Sequence, residues 1–332
     1  MASSRQFTKL LKSYLNAVLR SQCDLLPPHS SVLIAVSGGQ DSLCLAQLLQ
    51  MQQQKYNWRL TIAHCDHRWR QDSAANAEHV AAIANEWGLD FCQRVADYAP
   101  ANEAAARQWR YQMLVDMAQE RQCDRVAVGH TRSDRVETCL YNLMRGSGAD
   151  GLAAMAWRRS LTDGIDLVRP LLNVSRWETG AFCLENQIPV WEDSTNQDIR
   201  YQRNRIRLET IPYLQENFNP QLEVAIAQTA EILQEDVAYL ENQARSFFQE
   251  NVTILSQSSS PSLHRQLLQQ QPLALQRRIV RQFLSKYLLH QVNFADIDKF
   301  LKLLTAQNRS QTSPFSGNWI AVIEDPWIRL RR

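Results

Sequence analysis

Six consecutive residues near the start of the chain have the composition of a phosphate-binding turn: Ser37, Gly38, Gly39, Gln40, Asp41 and Ser42. Two adjacent glycines permit backbone conformations that are closed to other residues, and they let a ligand approach the main chain closely. A carboxylate has little reason to lie in such a turn unless a cation accompanies the anion, as Mg²⁺ accompanies ATP. The turn therefore predicts a site for a magnesium-bound nucleotide triphosphate, with Asp41 on the metal ion.

The elements that flank this turn would position it. Residues 32–36 form an unbroken apolar run, which is typical of a strand buried on both faces of a parallel sheet. From Leu43 the apolar residues recur at helical spacing, so the turn opens a helix whose free N–H groups and partial positive charge favour an anion. A simpler alternative is a strand-to-helix turn with Ser42 as the N-cap. The turn matches neither the GxxxxGK[ST] loop nor the GxGxxG fingerprint.

Polar residues follow two further predicted strands, at 60–65 and 125–129. The carboxyl ends of parallel strands meet at the edge where open α/β sheets bind ligands. His64 and His67 lie at the end of the first of these strands. Their three-residue spacing, without a third ligand nearby, favours a hydrogen-bonding or phosphate role over a metal site. Residues 168–172 predict a final edge element, because the proline among them cannot serve a central strand.

Two predicted helices carry charged side chains on one face. Glu103, Arg107 and Tyr111 follow one another at intervals of one turn in the first helix. Such a row is also what a solvated helix face shows. Asp134 and Glu137 share a face at the N-terminus of the second helix, where acidic residues are favoured in any case. Capping alone is therefore an alternative explanation for Asp134, but it does not explain Glu137 in the next turn.

Arginines are concentrated in one later segment, at positions 200, 203, 205 and 207. At this density arginines repel one another unless an anion is present, and their forked donors suit phosphate. Nucleic acid or a nucleotide triphosphate is the expected partner, and a solvated basic turn is the alternative. The glycine-rich segment 145–151 predicts a flexible loop that acts as a lid or grips a substrate. Residues 190–196 predict a loop rich in side-chain acceptors.

The length of the chain, 332 residues of which 45% are hydrophobic, is sufficient for two domains with a core each. The best linker is the stretch Asn-Phe-Asn-Pro at 217–220. We therefore expect an α/β catalytic domain at 1–216, with a parallel sheet flanked by helices. A mainly helical accessory domain would occupy 217–332.

Composition restricts the partners and the compartment. The net charge of +2 means that any nucleic-acid site must be a local patch. Seven scattered cysteines without a CxxC pair argue against zinc, an iron–sulfur cluster or a disulfide framework, and favour a reducing compartment. The first residues are typical of an amphipathic helix rather than a signal peptide, and no apolar run reaches the length of a membrane span. We expect a cytoplasmic protein.

The turn at 37–42 resembles the SGGxDS loop of the PP-loop ATP pyrophosphatases, which adenylate a substrate and release pyrophosphate. That resemblance implies their adenine nucleotide alpha hydrolase-like fold. Later motifs resemble those of one member family, the tRNA(Ile)-lysidine synthetases. These motifs are HCDHRWRQDS at 64–73, EAAARQWRY at 103–111, GHTRSDRVET at 129–138, RGSGADGL at 145–152, VRPLL at 168–172 and WEDSTNQDIRYQRNRIR at 191–207. They cover about the first two thirds of the chain in the family's order.

Resemblance to that family implies an ATP-dependent C–N ligase that acts on tRNA. ATP would adenylate the C2 oxygen of the wobble cytidine in tRNA(Ile) with a CAU anticodon, and pyrophosphate would leave. The ε-amine of L-lysine would then displace AMP and give lysidine, which changes codon recognition from AUG to AUA. Activation of this kind splits one difficult displacement into two easier steps. The sequence leaves a homodimer open.

The resemblance also implies roles for individual residues. The turn at 37–42, together with His64 and His67, would bind ATP, and Asp41 would hold Mg²⁺ on its phosphates. Arg107 and Arg203 would stabilise charge on the α-phosphate or on the activated base. Asp134 and Glu137 would bind the cationic groups of lysine. Contacts to tRNA are expected from four residues: Arg145, Gly148, Arg205 and Arg207.

Several positions depart from the family's pattern. Ser133 stands where the family usually has the first of two aspartates, Arg135 replaces a glutamine, and Arg68-Trp69 replaces Gly-Leu. A serine does not supply the missing charge. Two rival functions remain at this point. One is a PP-loop tRNA thiolase, which would use cysteine pairs or a cluster to carry sulfur, and the other is a nucleotide- and tRNA-binding module without chemistry.

Overall fold

The computed structural model describes residues 5–69, 72–191, 198–254, 260–288 and 291–332. Within it the chain divides into two compact units, Met1–Glu231 and Ile232–Arg332. This division falls inside a long helix that begins a few residues after the predicted linker. The predicted domain boundary at residue 217 stays a prediction, and the predicted acceptor-rich loop at 190–196 lies outside the described residues from position 192 onward.

The first unit is built on a six-stranded sheet with the order β3-β2-β1-β4-β6-β5. Its strands are β1 (Ser31–Ala35), β2 (Arg59–Asp66), β3 (Asp90–Val95), β4 (Arg125–Val128), β5 (Arg158–Thr162) and β6 (Ile165–Val168). All neighbouring pairs are parallel except β5 and β6, which form an antiparallel hairpin. Strands β2 and β4 lie on opposite sides of β1, so the order in which strands are added to the sheet reverses at β1. Such a reversal creates a crevice at the carboxyl end of β1.

Helices cover both faces of this sheet. The helices of this part of the chain are α1 (Gln6–Ser21), α2 (Gln40–Gln50), α3 (Gln53–Tyr56), α4 (Ser73–Glu86), α5 (Glu103–Glu120), α6 (Arg132–Met144), α7 (Ala149–Leu152), α8 (Arg176–Glu185), α9 (Gln202–Arg205), a π-helical turn (Ile206–Thr210), α10 (Ile211–Asn217) and α11 (Leu222–Asn251). Val32 and Ile34 of β1 point into the larger core, and Leu33 points into the core on the opposite face. Burial of β1 on both faces is therefore confirmed.

The prediction of an edge element at 168–172 was wrong. Strand β6 ends at Val168 and lies between β4 and β5, so it is an internal strand. The proline that suggested an edge lies two residues beyond the strand, where no ladder hydrogen bond is required of it. The edge is formed by β5, a short polar strand that the sequence analysis did not identify.

The second unit combines helices with a small antiparallel sheet. Its elements are the later part of α11, then α12 (Arg265–Gln269), α13 (Leu273–Tyr287), α14 (Phe294–Leu301), a 3₁₀ turn (Lys302–Leu304) and the strands β7 (Val252–Ile254), β8 (Pro261–His264), β9 (Ile320–Glu324) and β10 (Trp327–Arg331). The sheet order is β7-β8-β10-β9. The predicted mainly helical character is confirmed, with this sheet as an addition. No helix in the described part of the chain combines the length and the apolar character of a membrane span.

Candidate active site

The turn at 37–42 joins β1 to α2 at the point where the sheet order reverses, and its backbone is held from outside. Gly38 has a φ of +88°, and a Cβ atom there would lie 2.3 Å from Asn76 Oδ1, so only glycine fits. Asn76 Nδ2 donates to the Ser37 carbonyl at 3.0 Å, and the Trp191 N–H donates to the Gly38 carbonyl at 2.9 Å. The loop is therefore fixed in shape by residues distant in sequence.

The two serines of the turn have different settings. The buried Ser42 hydroxyl donates to the Gly39 carbonyl at 2.9 Å and accepts the Ser37 N–H at 3.1 Å. Ser42 lies in the first turn of α2 rather than at its N-cap, which is Gly39. The alternative of Ser42 as a helix cap was therefore wrong. Ser37 is exposed, and its hydroxyl lies 3.3 Å from that of Ser42.

The end of β4 packs directly against this loop. A Cβ atom built on Gly129 would lie 2.8 Å from the main-chain carbonyl group of Asp41 and from the Ser42 nitrogen. A side chain at position 129 would force the start of α2 away from the sheet. The loop and the polar residues after β4 thus form one continuous surface at the carboxyl edge.

Asp41 is held by the first turn of α8. Thr179 Oγ1 donates to Asp41 Oδ1 at 2.5 Å, and Arg176 Nη1 lies 3.6 Å from Asp41 Oδ2. The side chain of Gln40 ties the same two elements together by donating to the Arg176 carbonyl at 2.6 Å. Burial raises the pKa of Asp41, and the Arg176 charge opposes this rise.

The role of α8 did not follow from the sequence. One signal was present, because Ser175 and Glu178 have the spacing of a capping box and mark the start of a helix. Nothing in the sequence indicated that this helix would meet the loop at 37–42, since the contact joins residues more than 130 positions apart.

The two histidines after β2 have different environments. His64 is buried, and its Nδ1 donates to the Val36 carbonyl at 2.8 Å, next to the loop. His67 packs against Trp69 and Trp109, with ring centroids 5.8 and 4.9 Å away. Burial first, and then the charge of Arg110, lower the pKa of His67 to about 4, so that it is neutral at pH 7.

The acidic residues of α6 surround an arginine from the later basic segment. Arg207 donates to both carboxylate oxygens of Glu137, from Nε at 2.5 Å and from Nη2 at 2.9 Å. Asp134 Oδ1 lies 3.7 Å from the same Nη2. Asp134 Oδ2 accepts the N–H and the hydroxyl of Thr131, each at 2.8 Å, so Asp134 does cap the helix. Burial raises the pKa of Glu137, and Arg207 opposes the rise.

Cations collect around Tyr111 of α5. The Arg107 and Arg159 guanidinium carbons lie 5.1 and 4.7 Å from its ring centroid. Arg203 Nη1 lies 3.3 Å from Glu103 Oε1, which brings the start of α9 to the same helix. Burial lowers the pKa of Arg107, which nevertheless remains charged at neutral pH. Such a cluster attracts phosphate.

The residues predicted to contact tRNA lie at different depths. Arg145, Gly148 and Arg205 are exposed, whereas Arg207 is partly buried against α6. Arg205 pairs with Glu209 at 3.6 Å. The glycine-rich segment that contains Gly148 includes the one-turn helix α7 and is anchored by Asn142, which donates to the Gly151 carbonyl at 2.8 Å.

Comparison with known proteins agrees with this geometry. The model of a PP-loop domain matches residues 2–214. The tRNA(Ile)-lysidine synthase of Nostoc sp. is 54% identical over 332 residues, which cover 97% of this chain and 96% of that protein. The enzyme of the same name from Synechocystis sp. is 49% identical over 304 residues, which cover 90% and 91%. This chain belongs to the tRNA(Ile)-lysidine synthase family. It is an enzyme of that type, and its PP-loop domain implies the use of ATP.

A solved structure supports the fold from a more distant relative. The chain of a U34-tRNA thiolase NcsA from Methanococcus maripaludis, with its [4Fe-4S] cluster, superposes with a TM-score of 0.60 at 18% identity. The match covers 70% of this chain and 81% of that one. At this identity the likeness shows a shared PP-loop architecture and does not extend to the reaction.

Two departures from the lysidine synthase pattern are accommodated by acids from α11. The Ser133 hydroxyl lies 3.2 Å from both carboxylate oxygens of Glu223. Arg135 is fully buried, where it donates to Asn173 Oδ1 and to the Met155 carbonyl at 3.1 Å each. Glu231 Oε2 lies 3.6 Å from Arg135 Nη1 and balances its charge. In this chain the altered positions have acquired partners within the first unit.

Proposed function

We propose that this enzyme joins L-lysine to C2 of the wobble cytidine of a tRNA(Ile) with a CAU anticodon, using ATP. The observation that carries the proposal is the arrangement of Asp41. Its carboxylate is fixed by Thr179 and Arg176 at the mouth of a loop whose shape requires glycine at position 38. A rigid loop at a helix N-terminus with one oriented carboxylate suits a metal-bound triphosphate.

The proposed reaction has two steps. In the first, the C2 oxygen of the cytosine attacks the α-phosphorus of ATP, a new O–P bond forms, and pyrophosphate leaves with the electrons of the broken P–O bond. In the second, the neutral lysine ε-amine forms a bond to C2, the C2–O bond breaks, AMP leaves with the C2 oxygen and the electrons of that bond, and the new C–N nitrogen releases a proton. AMP is a far better leaving group than the original carbonyl oxygen, and this difference is the reason for the first step.

The residues present fit one Mg²⁺ held mainly by substrate. Mg²⁺ keeps several waters and usually binds through one or two carboxylates together with phosphate oxygens. Asp41 Oδ2, whose ion pair with Arg176 is 3.6 Å long, is the oxygen suited to this contact. Among the described residues, no group of three or more His, Cys, Asp or Glu side chains forms a closed metal cage. When bound, the ion would neutralise charge on the phosphates.

The chain's own cations would act on the developing charge. Arg107 and Arg203 lie on α5 and α9 around the same cluster, and we assign them to the α-phosphate or to the activated base. The first N–H groups of α2 would bind phosphate oxygens. His64 and His67 would line the nucleotide site. The ring of His64 is fixed by its hydrogen bond to the Val36 carbonyl, and His67 is neutral and packs against tryptophan.

Asp134 and Glu137 are the proposed site for the cationic groups of lysine. Support comes from the way they already bind a guanidinium, that of Arg207. Glu137 uses both oxygens on Arg207, whereas Asp134 Oδ1 makes only the longer ion pair at 3.7 Å. We therefore propose that Asp134 makes the main contact with the lysine ammonium group. Arg207 would position the carboxylates of Asp134 and Glu137.

We propose that four residues contact the sugar-phosphate backbone of tRNA. They are the exposed Arg145, Gly148 and Arg205, and the partly buried Arg207. A wobble base is unpaired, so turning it out toward the loop costs little. The second unit would extend the contact with tRNA. All seven cysteines are free thiols, which fits an enzyme working on tRNA in the cytoplasm.

Pyrophosphate release tests this proposal. We expect repeated turnover only when tRNA and lysine are both supplied, without any sulfur donor; with tRNA but no lysine, release should stop after about one pyrophosphate per tRNA, because the adenylated base is not consumed. Asp41→Asn should lower kcat by ~100-fold or more while tRNA binding survives, because the substitution removes the metal contact and the ion pair with Arg176, neither of which involves tRNA. The matched control Asp90→Asn, at an exposed position of β3, should behave as wild type. Release that requires a sulfur donor would favour the thiolase. Equal behaviour of Asp41→Asn and wild type in both assays would favour a binding module.

A further inference from the structure

The segment after β6 buries an arginine that the proposed reaction does not use. Arg169 exposes 3% of its surface. Its main-chain N–H donates to the Trp157 carbonyl at 2.9 Å, and its Nη1 donates to the Ala156 carbonyl at 2.5 Å. Burying a guanidinium costs several kcal/mol unless its donors are satisfied. The segment before β5 therefore anchors Arg169 in one orientation.

The Nε–H of that guanidinium is aimed at His130. Arg169 Nε lies 3.0 Å from His130 Nδ1. Arginine has donors and no acceptor, so His130 Nδ1 must be the acceptor in this bond and carries no proton. A neutral imidazole has one N–H group, which then lies on Nε2. The hydrogen bond at one ring nitrogen thus decides the chemical character of the other.

His130 is placed where such a donor has a use. It follows β4 and lies between Gly129, which packs on Asp41, and Thr131, the N-cap of α6, whose N–H donates to Asp134. The charged groups that act on it are Asp134 from α6, Arg169, and Arg110 and Arg107 from α5. Burial and these arginines outweigh Asp134 and lower the pKa of His130 to about 3. The ring is therefore neutral at pH 7.

We propose that Arg169 is a positioning residue that fixes His130 in its Nε2–H form, so that the ring presents a single neutral donor to an anionic phosphoryl oxygen. This inference rests on the proposed function, because that oxygen would belong to ATP or to the adenylated base. A fixed N–H donor stabilises an anionic oxygen without reorganisation during the reaction. Were the ring in its other form, Nε2 would present a lone pair and repel the same oxygen.

Nitrogen NMR of the ligand-free full chain tests the tautomer. With ¹⁵N-labelled histidine, long-range ¹H–¹⁵N correlations at pH 7 distinguish the two neutral forms and imidazolium. The His130 signal is assigned as the one lost in His130→Gln. We expect the Nε2–H form in wild type. Arg169→Met should change the His130 nitrogen shifts toward a mixture of tautomers, and Arg169→Lys, which keeps a cationic donor, should restore the wild-type pattern in part.

The matched control is Arg158→Met, which removes an exposed arginine that pairs with Asp166 on the same hairpin. Its His130 signal should equal that of wild type. A wild-type His130 in the Nδ1–H or imidazolium form would overturn the proposal, and so would an unchanged tautomer in folded Arg169→Met. If Arg169→Met does not fold, the wild-type spectrum and Arg169→Lys still decide it.

Kinetics provide the second measurement. Pyrophosphate release by Arg169→Lys should show a kcat reduced by ~10-fold, with the KM for ATP changed far less, because loss of one fixed donor costs up to ~10²–10³-fold. An unchanged kcat in a variant with an altered tautomer would overturn the catalytic use of the donor. If wild type forms no lysidine while its NMR spectrum is as expected, the proposed function fails and the Arg169 and His130 pair stands.

Discussion

At the scale of single residues, the site depends on how each charge is held. Asp41 is useful only if its carboxylate stays ionised and oriented, although burial raises its pKa. Three groups act against that rise: the Arg176 charge, the Thr179 hydroxyl and the Gln40 side-chain amide. Thr179 is fully buried, and its hydroxyl also accepts from the Gln40 amide at 3.1 Å and lies 2.9 Å from the Arg176 carbonyl. Its substitution therefore tests how far the loop depends on a distant helix.

Thr179→Val keeps the shape of the side chain and removes its hydroxyl. We expect the free energy of unfolding to fall by ~1.5–3 kcal/mol, since a hydrogen bond to a charged group is lost. We also expect ATP binding to weaken, measured by calorimetry with MgATP. Thr229→Val, which removes an exposed hydroxyl on α11, is the control. Unchanged nucleotide affinity in Thr179→Val would contradict the role of α8.

The neutral histidines predict a pH dependence of stability. His130 has a pKa of about 3 in the folded chain against an ordinary value of 6.5, so the unfolded chain binds its proton more tightly. Its contribution is complete above pH 6.5 and is lost progressively as the pH falls toward 3. Chemical unfolding at pH 7, 6 and 5 should show a shallower loss for His130→Gln than for wild type. Parallel curves would contradict a neutral His130.

Residue types alone predicted many of the residues that lie at the candidate site, but few of the contacts between them. The loop at 37–42, the polar groups after β2 and β4, and the two acids of α6 all lie at the predicted edge. The partners of those acids did not follow from the sequence, because Arg207 and Glu137 lie 70 positions apart and meet only through packing. The same holds for Arg135, whose burial depends on Glu231.

At the scale of elements, the loop is shaped by what packs behind it. Strand β1 places the loop at the switch point, α4 and Trp191 hold its backbone, and β4 closes against it through Gly129. Apolar periodicity identified β1 and α2 because each is buried along a regular face. The hairpin of β5 and β6 was not predicted, because β5 is polar and exposed. The proline two residues after β6 also suggested an edge element there.

Gly129→Ala tests the close contact between β4 and α2. A Cβ atom there would lie 2.8 Å from the Asp41 carbonyl, and relieving such overpacking costs ~1–3 kcal/mol. We expect lower stability and an affinity for MgATP reduced at least ~5-fold, measured by calorimetry. The control is Gly88→Ala, which has open space and a φ of +65°. Its strain should lower stability and leave MgATP affinity at the wild-type value; equal affinity losses in both variants would refute a specific contact.

At the scale of the whole molecule, the question is at which residue the first compact unit ends. The composition of the stretch at 217–220 predicted a domain boundary at residue 217. The compact unit extends to Glu231, and two acids from the intervening segment contact α6. Glu223 receives the Ser133 hydroxyl, while Glu231 balances the buried Arg135 and accepts the Trp157 Nε1–H at 3.1 Å. Composition does not reveal such contacts, because they depend on where α11 begins to pack.

Two truncated chains, 1–217 and 1–231, distinguish these boundaries. We expect 1–231 to be the more stable by ~3 kcal/mol, because the shorter chain leaves the buried guanidinium of Arg135 without its carboxylate. Thermal unfolding followed by circular dichroism provides the measurement. Adding Arg135→Met to both chains should reduce the difference. Equal stability of the two truncated chains would support the boundary at 217.

The central claim is that a metal-bound triphosphate in the loop at 37–42 activates an RNA base for attack by lysine. The most direct measurement is mass spectrometry of the wobble nucleoside from a CAU-anticodon tRNA, after incubation of the full chain with ATP and isotopically labelled lysine. We predict a nucleoside that contains cytidine plus one labelled lysine less one water, formed by wild type and not by Asp41→Asn. Unmodified cytidine with wild-type enzyme, or equal product from Asp41→Asn, would contradict the account.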